Sequence, residues 1–133
     1  MEITRTFDLL DYILEHYPEK EDVLCCKEKG EWVKYSAQKY YNIANYMACG
    51  LIEMGLKPGD KVVTMSGNCP EWNFIDMALA LTGVVHVPIY PTLSVENYVH
   101  IIKHCDAQYI FVSSKKLLGH IQPALERVEN APK

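Results

Sequence analysis

Histidine spacing is the first feature of this sequence that could do chemistry. His100 and His104 are four residues apart, so they would face the same side of a helix, a spacing that can bind a metal ion. The first His has no Glu beside it and no third ligand is evident, which favours two partly exposed histidines on an amphipathic helix. His86 lies in an apolar run and is more typical of a hydrogen-bonded sheet residue than of a catalyst.

The cysteines do not have the spacing of a disulfide framework or a zinc site. They are odd in number and no pair forms C-x-x-C. We therefore expect reduced, mostly buried side chains that pack as small hydrophobes. The five are Cys25, Cys26, Cys49, Cys69 and Cys105.

The usual phosphate-binding motifs are missing. The chain has neither G-x-G-x-x-G nor G-x-x-x-x-G-K-[ST]. Gly67 lies in a turn before a predicted helix, where backbone amides can meet an anion, but a tight turn with Asn68 as the helix cap is the favoured interpretation. No Ser/His/Asp arrangement and no carboxylate pair can be assigned.

One further segment has the character of a binding-site rim. Tyr90, Pro91 and Thr92 follow a predicted strand at residues 84–89, and prolines stiffen its exit. In an open parallel sheet, ligands bind beyond the carboxyl ends of the strands. These three residues are therefore candidates for a pocket rim. The alternative, favoured on residue types alone, is a rigid turn with Ser94 as the next cap.

The first third of the chain predicts two helices and a hairpin. Apolar residues at helical spacing predict a helix at residues 8–17, with Thr6 as its cap. Extended runs on either side of Lys29 and Gly30 predict a β-hairpin. Ser36 is a good cap for a long helix at residues 37–54, which Gly55 would end.

Strands and helices then alternate. A buried strand is predicted at residues 61–66 and further strands at 84–89 and 107–112, with helices from 70 to about 83, from 94 to about 103, and at 120–129. Such alternation predicts an α/β fold: a Rossmann-like parallel sheet with helices on both faces, plus the N-terminal hairpin. No linker or change in composition divides the chain, so we predict one region, residues 1–133, without an internal boundary.

Composition narrows the class of protein. The 133 residues are 49% hydrophobic and 23% charged, which is typical of a folded globular chain rather than a disordered one. A net charge of -4 without basic runs argues against a nucleic-acid partner. With no apolar run of about 20 residues and no signal-peptide pattern, we expect a cytoplasmic protein without a transmembrane segment.

Five sequence elements in order resemble the adenylate-forming, or AMP-binding, superfamily. The segment around Ile89-Tyr90-Pro91-Thr92 is most similar to long-chain fatty-acid–CoA ligases. The five elements are WVKYS at 32–36, GLKPGDKV at 55–62, NCPEW at 68–72, GVVHVPIYPTLS at 83–94 and AQYIFV at 107–112.

The resemblance implies a two-step ligase that uses ATP, CoA and Mg²⁺. A fatty-acid carboxylate attacks the α-phosphate of ATP to form an acyl-adenylate and pyrophosphate, and the CoA thiol then displaces AMP. Related CoA ligases border their CoA channel with the loop that matches Tyr90, Pro91 and Thr92. Their phosphate loop, adenine motif, ribose-binding Asp and catalytic Lys have no match here, so we assign no catalytic or metal-binding residue.

The resemblance also leads to expectations for the chain by itself. We expect it to be the N-terminal part of the large adenylation domain, to bind no cofactor tightly and to be inactive alone. It could self-associate through surfaces that the rest of an enzyme would cover, and the complete enzyme could be peripheral to a membrane. The alternatives are a free-standing Rossmann-like module that binds a nucleotide or a protein, and an adenylate-forming enzyme for another carboxylic acid.

Overall fold

The computed structural model describes residues 2–133, which form two compact units. The first comprises the chain up to Gly55 together with Cys69–Thr82, and the second comprises Leu56–Asn68 and Gly83–Lys133. Each unit is built from two separate segments, so no single cut in the sequence would divide them. The prediction of one region without an internal boundary stays a prediction.

The order of helices and strands is the predicted one throughout residues 2–133. The elements are α1 (Asp8–His16), β1 (Leu24–Glu28), β2 (Glu31–Tyr35), α2 (Ala37–Glu53), β3 (Lys61–Met65), α3 (Pro70–Thr82), β4 (Val85–Ile89), α4 (Val95–Cys105), β5 (Tyr109–Val112) and α5 (Lys115–Leu125).

The predicted hairpin is confirmed in the first unit. β1 and β2 pair antiparallel, and the pair Glu28↔Glu31 closes on a two-residue turn. Lys29 and Gly30 have φ values of 49° and 94°, as a type I′ turn requires at both central positions. Gly at the second position takes this backbone at no steric cost, which explains why the chain reverses there.

Helix α2 begins and ends where local chemistry predicts. The Ser36 hydroxyl accepts a hydrogen bond from the Lys39 amide at 3.1 Å, and Gly55 follows the helix with a φ of 89°. α2 packs against α1 and α3 within the unit. The shared core consists of Leu10, Tyr35, Tyr40, Ala44 and Phe74.

The start of α1 differs from the prediction. Phe7, not Thr6, occupies the cap position, and its side chain makes no capping hydrogen bond. Asp8 instead accepts hydrogen bonds from the Arg5 guanidinium at 2.8 Å and from the Thr4 amide at 3.0 Å. These bonds, the Arg5 one foremost, hold the pKa of the Asp8 carboxyl well below its usual range.

The second unit contains a three-stranded parallel sheet in the order β4-β3-β5. Val63 and Met65 of the central strand pack with residues of α4 and α5, whereas Val62 and Thr64 point to the other face and are also buried. Burial on both faces is typical of a parallel sheet in an α/β fold. The predicted fold class, a parallel sheet with helices plus an antiparallel hairpin, is confirmed.

Helix α5 begins five residues earlier than predicted. Ser114 caps it, accepting a hydrogen bond from the Leu117 amide at 3.2 Å. Ile121 is fully buried in the core of the second unit. The cap and this burial offset the cost of about 1 kcal/mol for Gly119 in the helix. The predicted start of this helix at residue 120 was wrong.

Across residues 2–133, no helix combines the length and the apolar character that crossing a bilayer requires.

Candidate functional site

Three loops leave the sheet at its carboxyl edge. Met65, the last residue of β3, pairs with Ile89 of β4 on one side and with Val112 of β5 on the other. The next residue of each strand begins a loop, so the sheet register places Ser66 between Tyr90 and Ser113. The predicted rim therefore lies at the edge where parallel sheets bind ligands.

The rim segment is held by a buried tyrosine of α4. The Tyr98 hydroxyl donates a hydrogen bond to the Tyr90 carbonyl at 3.1 Å, and Tyr98 is only 1% exposed. Burial raises the pKa of Tyr98, so its hydroxyl keeps the proton that it donates. The backbone of Tyr90 is thus tied to the core while its side chain is 76% exposed.

The rest of the segment forms a short, ordered approach to α4. Pro91 is half-buried and Thr92 is exposed. The Ser94 hydroxyl accepts a hydrogen bond from the Asn97 amide at 3.3 Å and caps the helix, as predicted. Tyr90, Pro91 and Thr92 offer a stiff surface with one aromatic ring and one hydroxyl, which suits contact with a ligand rather than acid–base chemistry.

Sequence reasoning missed the loop after β5. The Ser113 amide donates to the Met65 carbonyl at 3.1 Å, which joins this loop to the one after β3. Ser114 caps α5 in this loop. The available signal was a Ser followed by apolar residues at helical spacing, Leu117 and Ile121.

The other predicted residues lie away from this edge or serve the fold. His86 shares a hydrogen bond of 2.7 Å with the Thr64 hydroxyl across the sheet, which confirms the expected structural role. His100 and His104 are exposed on α4, also as expected. Among residues 2–133, no three His, Cys, Asp or Glu side chains come together to hold a metal ion.

A shallow cleft of about 400 Å³ lies near the C-terminal end of α4 and does not include the rim residues. Its walls are mixed in charge and its apolar part is small, so it lacks the apolar lining typical of a small-molecule site. The cleft is lined by Ile102, Lys103, Asp106, Arg127, Val128, Glu129 and Asn130.

The cysteines are more exposed than predicted. Cys25 and Cys49 are exposed and the other three are half-buried, so the expectation of mostly buried side chains is wrong. Cys25 points outward from a two-stranded hairpin. Cys49 lies on the exposed face of α2, whereas Ala48 and Leu51 lie on its buried face.

Known proteins with the same fold and sequence pattern are adenylate-forming enzymes. The family described as AMP-binding enzyme matches residues 10–132. The long-chain-fatty-acid–CoA ligase ACSBG1 of Rattus norvegicus is 34% identical over 95 residues, which are 71% of this chain and 13% of that protein. Long chain acyl-CoA synthetase 1 of Arabidopsis thaliana is 25% identical over 126 residues, 92% of this chain and 19% of that protein.

The fold is shared more widely than the sequence. A benzoate CoA ligase from Burkholderia xenovorans LB400 superposes with a TM-score of 0.76 at 16% identity, covering 95% of this chain and 24% of that chain. The chain thus spans between 13% and 24% of the length of these three relatives. The family match extends over both compact units and nearly all of the sequence, so the chain belongs to the AMP-binding enzyme family.

Proposed function

We propose that this chain is the N-terminal part of the adenylation domain of a fatty-acid–CoA ligase. The observation that carries the proposal is the family match over residues 10–132, together with curated relatives that are long-chain ligases over most of this chain. The complete enzyme would join a fatty acid to CoA at the expense of ATP.

The reaction would proceed through a mixed anhydride. The fatty-acid carboxylate attacks the α-phosphate of ATP, the bond to the pyrophosphate group breaks, and acyl-adenylate forms. The CoA thiol then attacks the acyl carbon, the thioester forms and AMP leaves. AMP is a good leaving group, whereas direct attack on a free carboxylate would have to expel an oxide ion. No residue of this chain is assigned to either bond change.

The cofactors follow from this chemistry. ATP and CoA are substrates of the proposed reaction, and Mg²⁺ would neutralise phosphate charge when ATP is bound. No three carboxylate, imidazole or thiol side chains meet within residues 2–133. We therefore derive no step through the metal from this part of the protein.

The proposed function is tested on the polypeptide that the complete gene encodes. We expect palmitate-dependent release of pyrophosphate from ATP, and formation of a thioester only when CoA is added. The reaction without fatty acid is the control. Pyrophosphate release that does not depend on any carboxylic acid would contradict the proposal.

The chain by itself is expected to be inactive. The purified 133-residue chain mixed with ATP, palmitate and CoA should release no more pyrophosphate than buffer does. Acid-dependent release by this chain alone would refute the assignment of the chemistry to other parts of the enzyme. A gene with a stop codon directly after Lys133 would favour the free-standing binding module.

Tyr90, Pro91 and Thr92 are proposed to border the CoA channel of the complete enzyme. Their place at the carboxyl edge of the sheet and the Tyr98 hydrogen bond support this role. We expect Tyr90→Ala to raise the KM for CoA severalfold and to leave the KM for fatty acid unchanged. Tyr46→Ala removes an equally exposed ring, 75% against 76%, and is the matched control.

The class of carboxylic acid is a separate part of the proposal. A benzoate CoA ligase shares this fold, so the fold is compatible with aryl as well as fatty acids. A comparison of kcat/KM for palmitate, butyrate and benzoate distinguishes these classes. We expect palmitate to be preferred, because ACSBG1 of Rattus norvegicus and long chain acyl-CoA synthetase 1 of Arabidopsis thaliana are both named as long-chain enzymes.

A further inference from the structure

Two imidazoles lie side by side on the exposed surface of α4. The rings of His100 and His104 have centroids 6.0 Å apart and planes inclined by only 11°. We propose that this pair is a two-imidazole chelate for a divalent transition-metal ion of intermediate softness, such as Ni²⁺. The proposal is independent of the ligase reaction, since neither histidine belongs to the rim segment Tyr90, Pro91 and Thr92.

The distance between the rings is close to what chelation needs. An imidazole nitrogen binds such ions at about 2.1 Å, and cis coordination of two rings then places their centroids about 5 Å apart. The observed 6.0 Å requires the rings to approach by about 1 Å. Both side chains are exposed, so a small rotation about their side-chain bonds provides this movement without disturbing the core.

The helix beneath the pair is well anchored. On the opposite face, Tyr98 and Ile102 are 1% and 2% exposed and belong to the core of the second unit. His104 lies in the last turn, where the unpaired carbonyls of a helix C-terminus favour a positive charge. A rigid backbone lowers the entropy lost when both imidazoles bind one ion, which is the physical basis of the chelate.

The charged neighbours decide which ions are favoured. Glu96 precedes His100 by one turn but forms an ion pair with Arg127 at 3.4 Å, and Lys103 repels cations. Within residues 2–133, no third His, Cys, Asp or Glu completes a metal cluster. Two nitrogen ligands and water favour Ni²⁺ and Cu²⁺ over Mn²⁺ and Mg²⁺, which prefer oxygen.

Calorimetric titration with Ni²⁺ tests the proposal directly. The 133-residue chain would carry Cys25→Ser and Cys49→Ser, because these exposed thiols compete for the metal. At about pH 8, where free imidazole is neutral, we expect one ion per chain. Removing one ligand of a chelate weakens binding on the order of 100-fold. We therefore expect His100→Asn and His104→Asn each to lower the Ni²⁺ affinity by this factor.

Two controls separate the chelate from other binding modes. His120→Asn removes an exposed histidine on α5 that has Lys116 and Ala124 four residues away on either side, and it should leave the affinity unchanged. His104→Asn combined with Lys103→His places the second imidazole three residues after His100 instead of four. Residues at either spacing are neighbours on a helix surface, so this double variant should regain part of the Ni²⁺ affinity. Circular dichroism verifies equal helix content in every variant.

Three results would overturn the proposal. The first is Ni²⁺ affinity that His104→Asn does not change. The second is Mn²⁺ binding as tight as Ni²⁺ binding, which would indicate carboxylate ligands. The third is an equal loss in His120→Asn, which would indicate unspecific binding to surface histidines.

Discussion

Tyr98→Phe removes the hydroxyl that holds the candidate rim and leaves the ring in place. In the structure this hydroxyl donates to the Tyr90 carbonyl at 3.1 Å from a side chain that is 1% exposed. A neutral hydrogen bond of this kind contributes a net 0.5–1.5 kcal/mol, roughly. We therefore expect the second unit to lose about 1 kcal/mol of stability, while ring packing is unchanged.

Hydrogen exchange is the appropriate assay, because it reports on single amides of the second unit, whereas both tryptophans, Trp32 and Trp72, belong to the first. A loss of about 1 kcal/mol corresponds to about fivefold faster exchange of the slowest amides of β3 and α4 when they exchange through opening of the unit. Tyr46→Phe, at a side chain that is 75% exposed, is the control and should have no effect.

Two results would refute this reasoning. Exchange of the protected amides at the original rate would mean that the hydroxyl makes no net contribution and that the rim is not held through it. Acceleration of more than 100-fold, about 3 kcal/mol, would exceed any single neutral hydrogen bond and would mean that the ring itself has shifted.

Three further predictions concern stability. Hydrogen bonds lower the pKa of Asp8 in the folded state, so the stability that its carboxylate contributes is complete above the ordinary carboxyl range and is lost as the pH falls below about 4. The melting temperatures at pH 5 and pH 3 should therefore differ less in Asp8→Asn than in the wild type. Asp11→Asn, at an exposed side chain, is the control and should leave the difference unchanged. Gly83 has a φ of 70°, and an added Cβ would lie 3.2 Å from the Pro58 Cβ, so Gly83→Ala should cost about 1–2 kcal/mol in urea unfolding. Gly50→Ala, inside α2 with open space around it, should instead stabilise by about 1 kcal/mol, and a loss there would contradict the helix geometry.

Much of the fold follows from local patterns. The hairpin turn, the Ser36 cap and the Gly55 stop depend on backbone chemistry within a few residues, so the sequence predicts them correctly. The run of mostly apolar residues at 61–65 likewise predicts the buried central strand of the parallel sheet. The order of the five family-like elements from residue 32 to residue 112 predicted the family, which the match over residues 10–132 confirms.

The exposure of the cysteines and the division into two units required the tertiary structure. Both depend on which side chains meet across the fold: Cys49 is exposed although its neighbour Ala48 is buried, and Cys69–Thr82 joins the first unit from a distant part of the chain. The Tyr98–Tyr90 hydrogen bond is of the same kind. Sequence by itself determined the elements, the residue types at the rim and the family, because these are local or patterned properties. Only the tertiary structure decided what holds the rim and which imidazoles can act together, because both depend on distances between side chains.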